Sequence, residues 1–323
     1  MCPARTWENS WNLKKTAPHL KRLITFSILA LIVILGLYFI CRPKKVFFPR
    51  LGGNAPAPEK LERIARKSEA AIAANPQDLT AAVDLGVARY HLGPDHYAKS
   101  YNALSRAWTQ GAFDERIFYY LGLLNENLSN FYEAEKQYLR FLNHEPRDRE
   151  IQLRLARLEF RMGNWEKSIE QYKRLADRNP KDVTSLINLG LAYQSQVKAE
   201  AADKSKNRKP DSEIQNHLDQ GIAYLEKARD ADPSLAKGLF LSLAQMYLEK
   251  EQWDKAQTAA QAELIQYPGE NDIEAYRALA LSFEKQNRKE TLLDTYQKWE
   301  RIDPANPGIP RKIRQLKRDL KIK

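Results

Sequence analysis

Two prolines 34 residues apart, Pro146 and Pro180, close two stretches whose side chains repeat in type and position. Before Pro146 come Phe118, Leu121 and Gly122, then Ala134 and Tyr138; before Pro180 come Leu155, Ala156, Ser168 and Tyr172. Leu121 beside Gly122 sets a large apolar side chain next to none at all, which lets a neighbouring helix approach the backbone closely. Ala134 serves the same end on a second helix, while Phe118 and Tyr138 fill the space that remains. Proline lacks the donor that a helix interior needs and clashes with the preceding turn, so each proline ends one unit and starts the next. A helical hairpin of this kind leaves one apolar face bare, and only a further hairpin stacked on it buries that face.

The pattern resembles the tetratricopeptide repeat (TPR) family, whose large-small pair, later alanine and closing proline fall on these residues. The resemblance implies an all-α fold, a solenoid of helical hairpins in a right-handed superhelix, over residues 58–308 in about six units. The remaining units can be placed from the same marks. A helix of about Pro58 to Ala74, with Leu61, Ile64, Ala65 and Ala71 on one side, ends at Pro76; a degenerate unit with Leu85, Gly86 and Ala98 follows. After Pro180, Leu186, Leu189, Gly190 and Tyr193 mark a first helix, but its closing proline, Pro233, comes 53 residues after Pro180 instead of 34. The excess is a polar insertion near 196–210; a loop this long is either functional or disordered, and its composition favours disorder. Asp211 or Ser212 then caps a helix carrying Ile214, Leu218, Ile222, Leu225 and Ala228. Phe240, Leu243, Ala244, Tyr247, Ala256 and Pro268 mark a further unit, as do Tyr276, Leu279, Ala280, Phe283, Leu292, Tyr296 and Pro304. Residues 309–323 read as a basic capping helix with an apolar stripe of Ile309, Ile313, Leu316 and Leu320.

From Leu23 to Ile40, 18 residues carry no charge. At about 1.5 Å per residue such a helix covers most of a hydrocarbon core of roughly 30 Å. The chain therefore divides into a basic tail (1–22), a transmembrane helix (23–41), a linker rich in proline and glycine (42–57), the repeats and the capping helix. Tyr38, Phe39 and Ile40 before Cys41-Arg42-Pro43 do not make a small-x-small cleavage site, so the segment is expected to stay as a signal anchor. Lys/Arg counts on its two sides nearly balance, and the short charged N-terminus favours the inside, with the repeats outside. The layout is similar to that of inner-membrane TPR proteins of bacteria, which places the repeats in the periplasm.

The net charge of +11 suggests nucleic acid until it is located. Residues 1–60 hold +8 and residues 301–323 hold +6, leaving −3 for residues 61–300, so the cationic character belongs to the ends. The repeats contain no cysteine, and the two in the chain, Cys2 and Cys41, flank the apolar stretch. His91, Asp95 and His96 come together at a turn, but no further ligand at a regular spacing supports them, and a solvated turn is the better reading. HExxH, GxSxG and P-loop motifs are all missing. No enzyme activity, cofactor or metal is expected.

TPR stacks present the first helix of each unit along a concave groove, and in the matched register this groove carries Tyr119, Tyr120, Leu123, Asn127, Arg154, Arg157, Arg161 and Asn188. Arg154, Arg157 and Arg161 share a helical face that suits an extended peptide with acidic groups, or is simply a charged face in water. Gly238 and Ser242 stand where a carboxylate-clamping Lys and Arg would follow Asn188, so a clamp on a chaperone tail is not supported. Arg311, Lys312, Arg314, Lys317, Arg318 and Lys321 form a second candidate patch, for anionic lipid or an acidic partner, unless they only keep the capping helix wet. These features predict a membrane-anchored scaffold that binds protein in secretion, envelope assembly or cytochrome maturation. The alternative is a cytoplasm-facing structural or regulatory scaffold whose basic C-terminal helix touches anionic lipid.

Overall fold

The computed structural model describes Leu31 and residues 46–54, 56–205, 209–232, 238–269 and 272–322. The chain divides into two compact units, Met1–Pro49 and Arg50–Lys323. Of the expected basic tail and transmembrane helix, only Leu31 is among the described residues, so the rest of that expected span lies outside them. Among the described residues no helix is long and apolar enough to cross a membrane.

The second unit is all-helical, with no strand among the described residues. Its helices are α1 (Pro58–Ala74), α2 (Leu79–His91), α3 (Tyr97–Thr109), α4 (Glu115–Asn127), α5 (Phe131–His144), α6 (Arg149–Arg161) and α7 (Trp165–Arg178). Then follow α8 (Val183–Ala202), α9 (Asp211–Ala231), α10 (Leu239–Glu249), α11 (Trp253–Gln266), α12 (Asp272–Lys285), α13 (Lys289–Ile302) and α14 (Gly308–Asp319). Each helix packs on the next, and alternate first helices also touch: α2 with α4, α8 with α10, and α10 with α12.

Helix boundaries follow from local chemistry. Asp78, Asp114, Asp148 and Asp182 cap α2, α4, α6 and α8, each carboxylate accepting a backbone N–H of the first turn. Three of them stand two residues after Pro76, Pro146 and Pro180, so proline and cap work as one punctuation mark. Helices α4, α6, α10 and α12 are each followed by a left-handed residue: Ser129, Gly163, Glu251 and Asn287 all have φ between 54° and 77°. After α4, Asn130 N–H donates to Asn125 O at 2.8 Å and Ser129 N–H to Glu126 O at 3.0 Å, a Schellman closure that recurs after α6, α10 and α12. This closure turns the chain back onto its own helix and makes each hairpin.

Hairpins close where a side chain is missing. A Cβ on Gly122 would run into the Tyr138 ring, and one on Gly190 would lie 2.5 Å from Leu225 Cγ, so both glycines mark where the second helix meets the first. Buried apolar side chains then run without a break from Leu153 to Leu316.

The insertion near 196–210 departs from expectation. Helix α8 continues through Gln196 to Ala202, so the first half of that stretch is ordered helix; residues 206–208 lie outside the described residues. Ordering is possible because α9 is lengthened as well and lies alongside. Val197, Ile214 and Leu218 are buried between them, and Glu200 meets His217 Nδ1 and Lys209 Nζ, both at 2.9 Å. Those two bonds hold the Glu200 carboxyl below its ordinary pKa although its burial acts the other way. The start of α9 also differs: Pro210 precedes it without a side-chain cap, and Asp211 is already its first residue. At the far end Ile309, Ile313 and Leu316 of α14 are buried.

Candidate protein-binding surface

Helices α4 and α6, the first helices of successive hairpins, carry most of the groove residues predicted above. Tyr119 and Tyr120 are fully buried and Leu123 nearly so, whereas Asn127 is exposed at the end of α4. The Tyr119 hydroxyl donates to Glu150 Oε1 at 2.6 Å and accepts the N–H of Leu51 at 3.1 Å. The Tyr120 hydroxyl lies 2.9 Å from His91 Nε2, and the Tyr90 ring tilts against Tyr120 at 5.0 Å. His91 is therefore part of an aromatic cluster rather than a solvated turn, and His96 faces Arg89 instead. Among the described residues no three His, Cys, Asp or Glu side chains are grouped to hold a metal.

The three arginines of α6 share a face but not a task. Arg154 bridges Glu126 Oε2 at 3.3 Å and Glu150 Oε1 at 3.4 Å; burial opposes its charge, yet Tyr138 and these carboxylates hold its pKa above the usual. Arg157 faces the Tyr172 hydroxyl, whose pKa burial pushes to about 12. Arg161 lies over the Phe131 ring at 4.3 Å. Arg154 is thus already paired through Nε and Nη1 with carboxylates of its own chain. Asn188 donates to Thr184 O within α8 and joins neither Arg154 nor Tyr119.

What the structure adds to this surface is an occupant. Arg50 Nη2 donates to Asp148 Oδ1 and Oδ2 at 2.9 and 2.8 Å, and its Nε donates to Glu150 Oε2 at 3.2 Å. Its guanidinium carbon stands 4.4 Å from the Tyr119 ring centroid and 5.5 Å from that of Phe141. Burial acts against the Arg50 charge, but the Asp148 bond and the surrounding negative field keep its pKa raised. Burial and the bond to Glu150 likewise push the Tyr119 phenol upward. Asp148, Glu150, Glu126, Phe141 and Arg50 escape sequence reasoning. Only the recurring proline-x-aspartate hints at Asp148, and nothing local pairs Arg50 with a residue 98 positions away.

The second candidate patch lies on α14 and just beyond it. Arg311, Lys312, Arg314, Arg318 and Lys321 are exposed and Lys317 is half-buried; Lys312 reaches Glu284 at 3.2 Å, and Lys289 reaches Asp319 at 3.6 Å.

Residues 153–204 and 241–307 match the family described as Tetratricopeptide repeat. No curated protein matches the chain. Among solved structures, YrrB, a TPR protein with an unusual peptide-binding site, is 14% identical; the match covers 66% of this chain and 98% of that one, with a TM-score of 0.53. The Naa15/Naa10 structure bound to HypK-THB is 15% identical over 80% of this chain and 37% of that one, with a TM-score of 0.52. A thermophilic TPR protein of Thermus thermophilus is 22% identical over 63% of this chain and 98% of that one, at a TM-score of 0.41. For YrrB and the Naa15/Naa10 structure the likeness is, at these identities, one of fold.

Proposed function

We propose that this chain, whose residues 153–204 and 241–307 match tetratricopeptide repeats, is a non-enzymatic scaffold that holds a protein partner along α4, α6 and α8 beside a membrane. One observation carries the reading: the surface of α4 and α6 already holds a piece of non-helical chain. It grips the side chain of Arg50 and the backbone N–H of Leu51, which are the two kinds of contact a peptide offers a protein groove. TPR proteins generally act as protein-binding scaffolds, and YrrB is described as having a peptide-binding site. A photo-crosslinking residue in place of the exposed Asn127 is expected to trap a protein partner in cells, and one in place of Tyr132 on α5 is not. Equal trapping at both positions, or none at either, would sink the reading.

Membrane anchoring is supported by the uncharged run from Leu23 to Ile40, and the repeats are assigned to the periplasm of a bacterial envelope by their layout. Alkaline phosphatase fused after Lys323 is expected to be active there, and a fluorescent protein in the same place dark. The exposed cations of α14 favour a second reading, a cytoplasm-facing scaffold touching anionic lipid. Under it the fusion results reverse, and the full chain needs residues 311–323 to bind phosphatidylserine vesicles in low salt.

A further inference from the structure

We infer that the surface of α4 and α6 is a site for an arginine side chain, filled here by the chain's own Arg50 and open to an arginine of a partner segment that displaces it. The inference rests on the protein-holding reading of the same surface and adds the chemistry of the ligand. Charge comes first. Among the described residues, Asp148, Glu150 and Glu126 meet in this network with Arg154, so without Arg50 the site holds two negative charges in excess. The carboxylates of Asp148 and Glu150 are largely screened from water, with side chains 17% and 27% exposed. An acidic segment would add to that excess, whereas a cation removes it.

Shape then selects among cations. The carboxylates take donors from two different nitrogens of one planar group, and Tyr119 and Phe141 lie against its face. A guanidinium offers donors around its rim and a flat face to the rings; an ammonium is a point charge that cannot meet both demands together.

The present occupant belongs to non-helical chain whose residues 47–50 are half-buried. Arg50 opens a turn closed by Gly53 N–H to Arg50 O at 3.0 Å, and residues 51–54 after it are exposed. No helix or hairpin carries Arg50, so its exchange for another arginine leaves the repeats as they are. A strap docked nine-tenths of the time lowers the apparent affinity for a competing segment about tenfold.

The test uses the full-length chain and a fluorescein-labelled peptide with the sequence of residues 46–54, read by anisotropy. Arg50→Ala is expected to bind this peptide about tenfold more tightly than the parent, and Arg50→Lys to fall between them. In the Arg50→Ala background, glutamine for the arginine of the peptide, or Glu150→Gln in the protein, is expected to cost about tenfold. Melting curves followed by circular dichroism establish that each variant is folded, and Arg50→Lys serves if Arg50→Ala is not. Equal affinity of the parent and both Arg50 variants would overturn the inference, as would equal binding of the glutamine peptide. Tight binding that ignores the arginine defeats this inference and leaves the scaffold reading standing. Loss of crosslinking at position 127 with arginine selectivity intact does the reverse.

Discussion

Arg116 is 1% exposed although it carries a full charge, because two aspartates from different hairpins enclose it. Its Nη1 donates to Asp84 and its Nη2 to Asp114, both at 2.6 Å, so it ties α2 to the start of α4. Removing one member of a buried ion group usually costs more than the pair was worth, since the other members stay behind unpaired. Asp84 and Asp114 are 31% and 20% exposed and recover some water, which sets the expected loss for Arg116→Ala at about 3 kcal/mol, the low end of that class. A denaturant midpoint measures it, and a loss below about 1 kcal/mol would mean that water already serves the aspartates. Glu251 poses the opposite case. It is exposed and left-handed, with φ of 57°, at a place where Gly163 stands in an earlier hairpin. Relief of that backbone strain outweighs the extra freedom glycine gains on unfolding, so Glu251→Gly is expected to raise stability by about 0.5 to 1 kcal/mol. An unchanged or lower midpoint would show that the Glu251 side chain contributes more than its backbone costs.

At the scale of the elements, α8 and α9 cross where neither has room for a side chain. A Cβ on Gly190 would fall 2.5 Å from Leu225 Cγ of α9, and one on Gly221 would fall 2.9 Å from Tyr193 Cβ of α8 and 2.5 Å from Met246 of α10. Gly190→Ala therefore forces α9 outward, at an expected cost of about 1 to 3 kcal/mol, despite the better helix propensity of alanine. Thermal melting of that variant beside one altered at an exposed helix position separates crowding from propensity. The cap of α8 supplies a pH dependence. Burial alone would raise the pKa of Asp182, but bonds from Arg149 Nη2 at 2.7 Å and Ser185 Oγ at 2.8 Å, with the Arg149 charge, hold it below the ordinary value. A carboxyl so lowered stabilises the fold above its unfolded pKa, about 3.9, and that contribution is lost as pH falls through the lower native value. The stability gap between the parent and Arg149→Ala is thus expected to be full near pH 6 and to shrink below about pH 4. A gap independent of pH would remove the carboxylate from the account.

At the scale of the whole molecule, repeats bury their faces on one another, so each hairpin depends chiefly on its neighbours. Helix α14 covers the last of them with Ile309, Ile313 and Leu316, each worth about 1.5 to 3 kcal/mol when fully buried. Ending the chain at Pro307 is expected to speed amide exchange in α12 and α13 by orders of magnitude while α4 to α6 keep their protection. Uniform loss of protection would show one cooperative core instead of a chain of neighbours.

Much of this architecture is legible without coordinates. Gly122 and Gly190, the closing prolines Pro146, Pro180, Pro268 and Pro304, and the apolar residues between them specify helical hairpins, because close packing and helix termination act over a few residues. Three decisions needed the tertiary structure. The polar residues from Gln196 to Ala202 are helical because α9 offers them a flank, which composition cannot express. Arg154 pairs with Glu126 and Glu150, a pairing that its spacing from Arg157 and Arg161 does not express. Arg50, one cation among several in a linker, lies between Asp148, Glu150 and the Tyr119 ring. Short-range patterning determines which helices form. Which charges meet depends on side chains nearly a hundred residues apart, and only the packed chain brings them within reach.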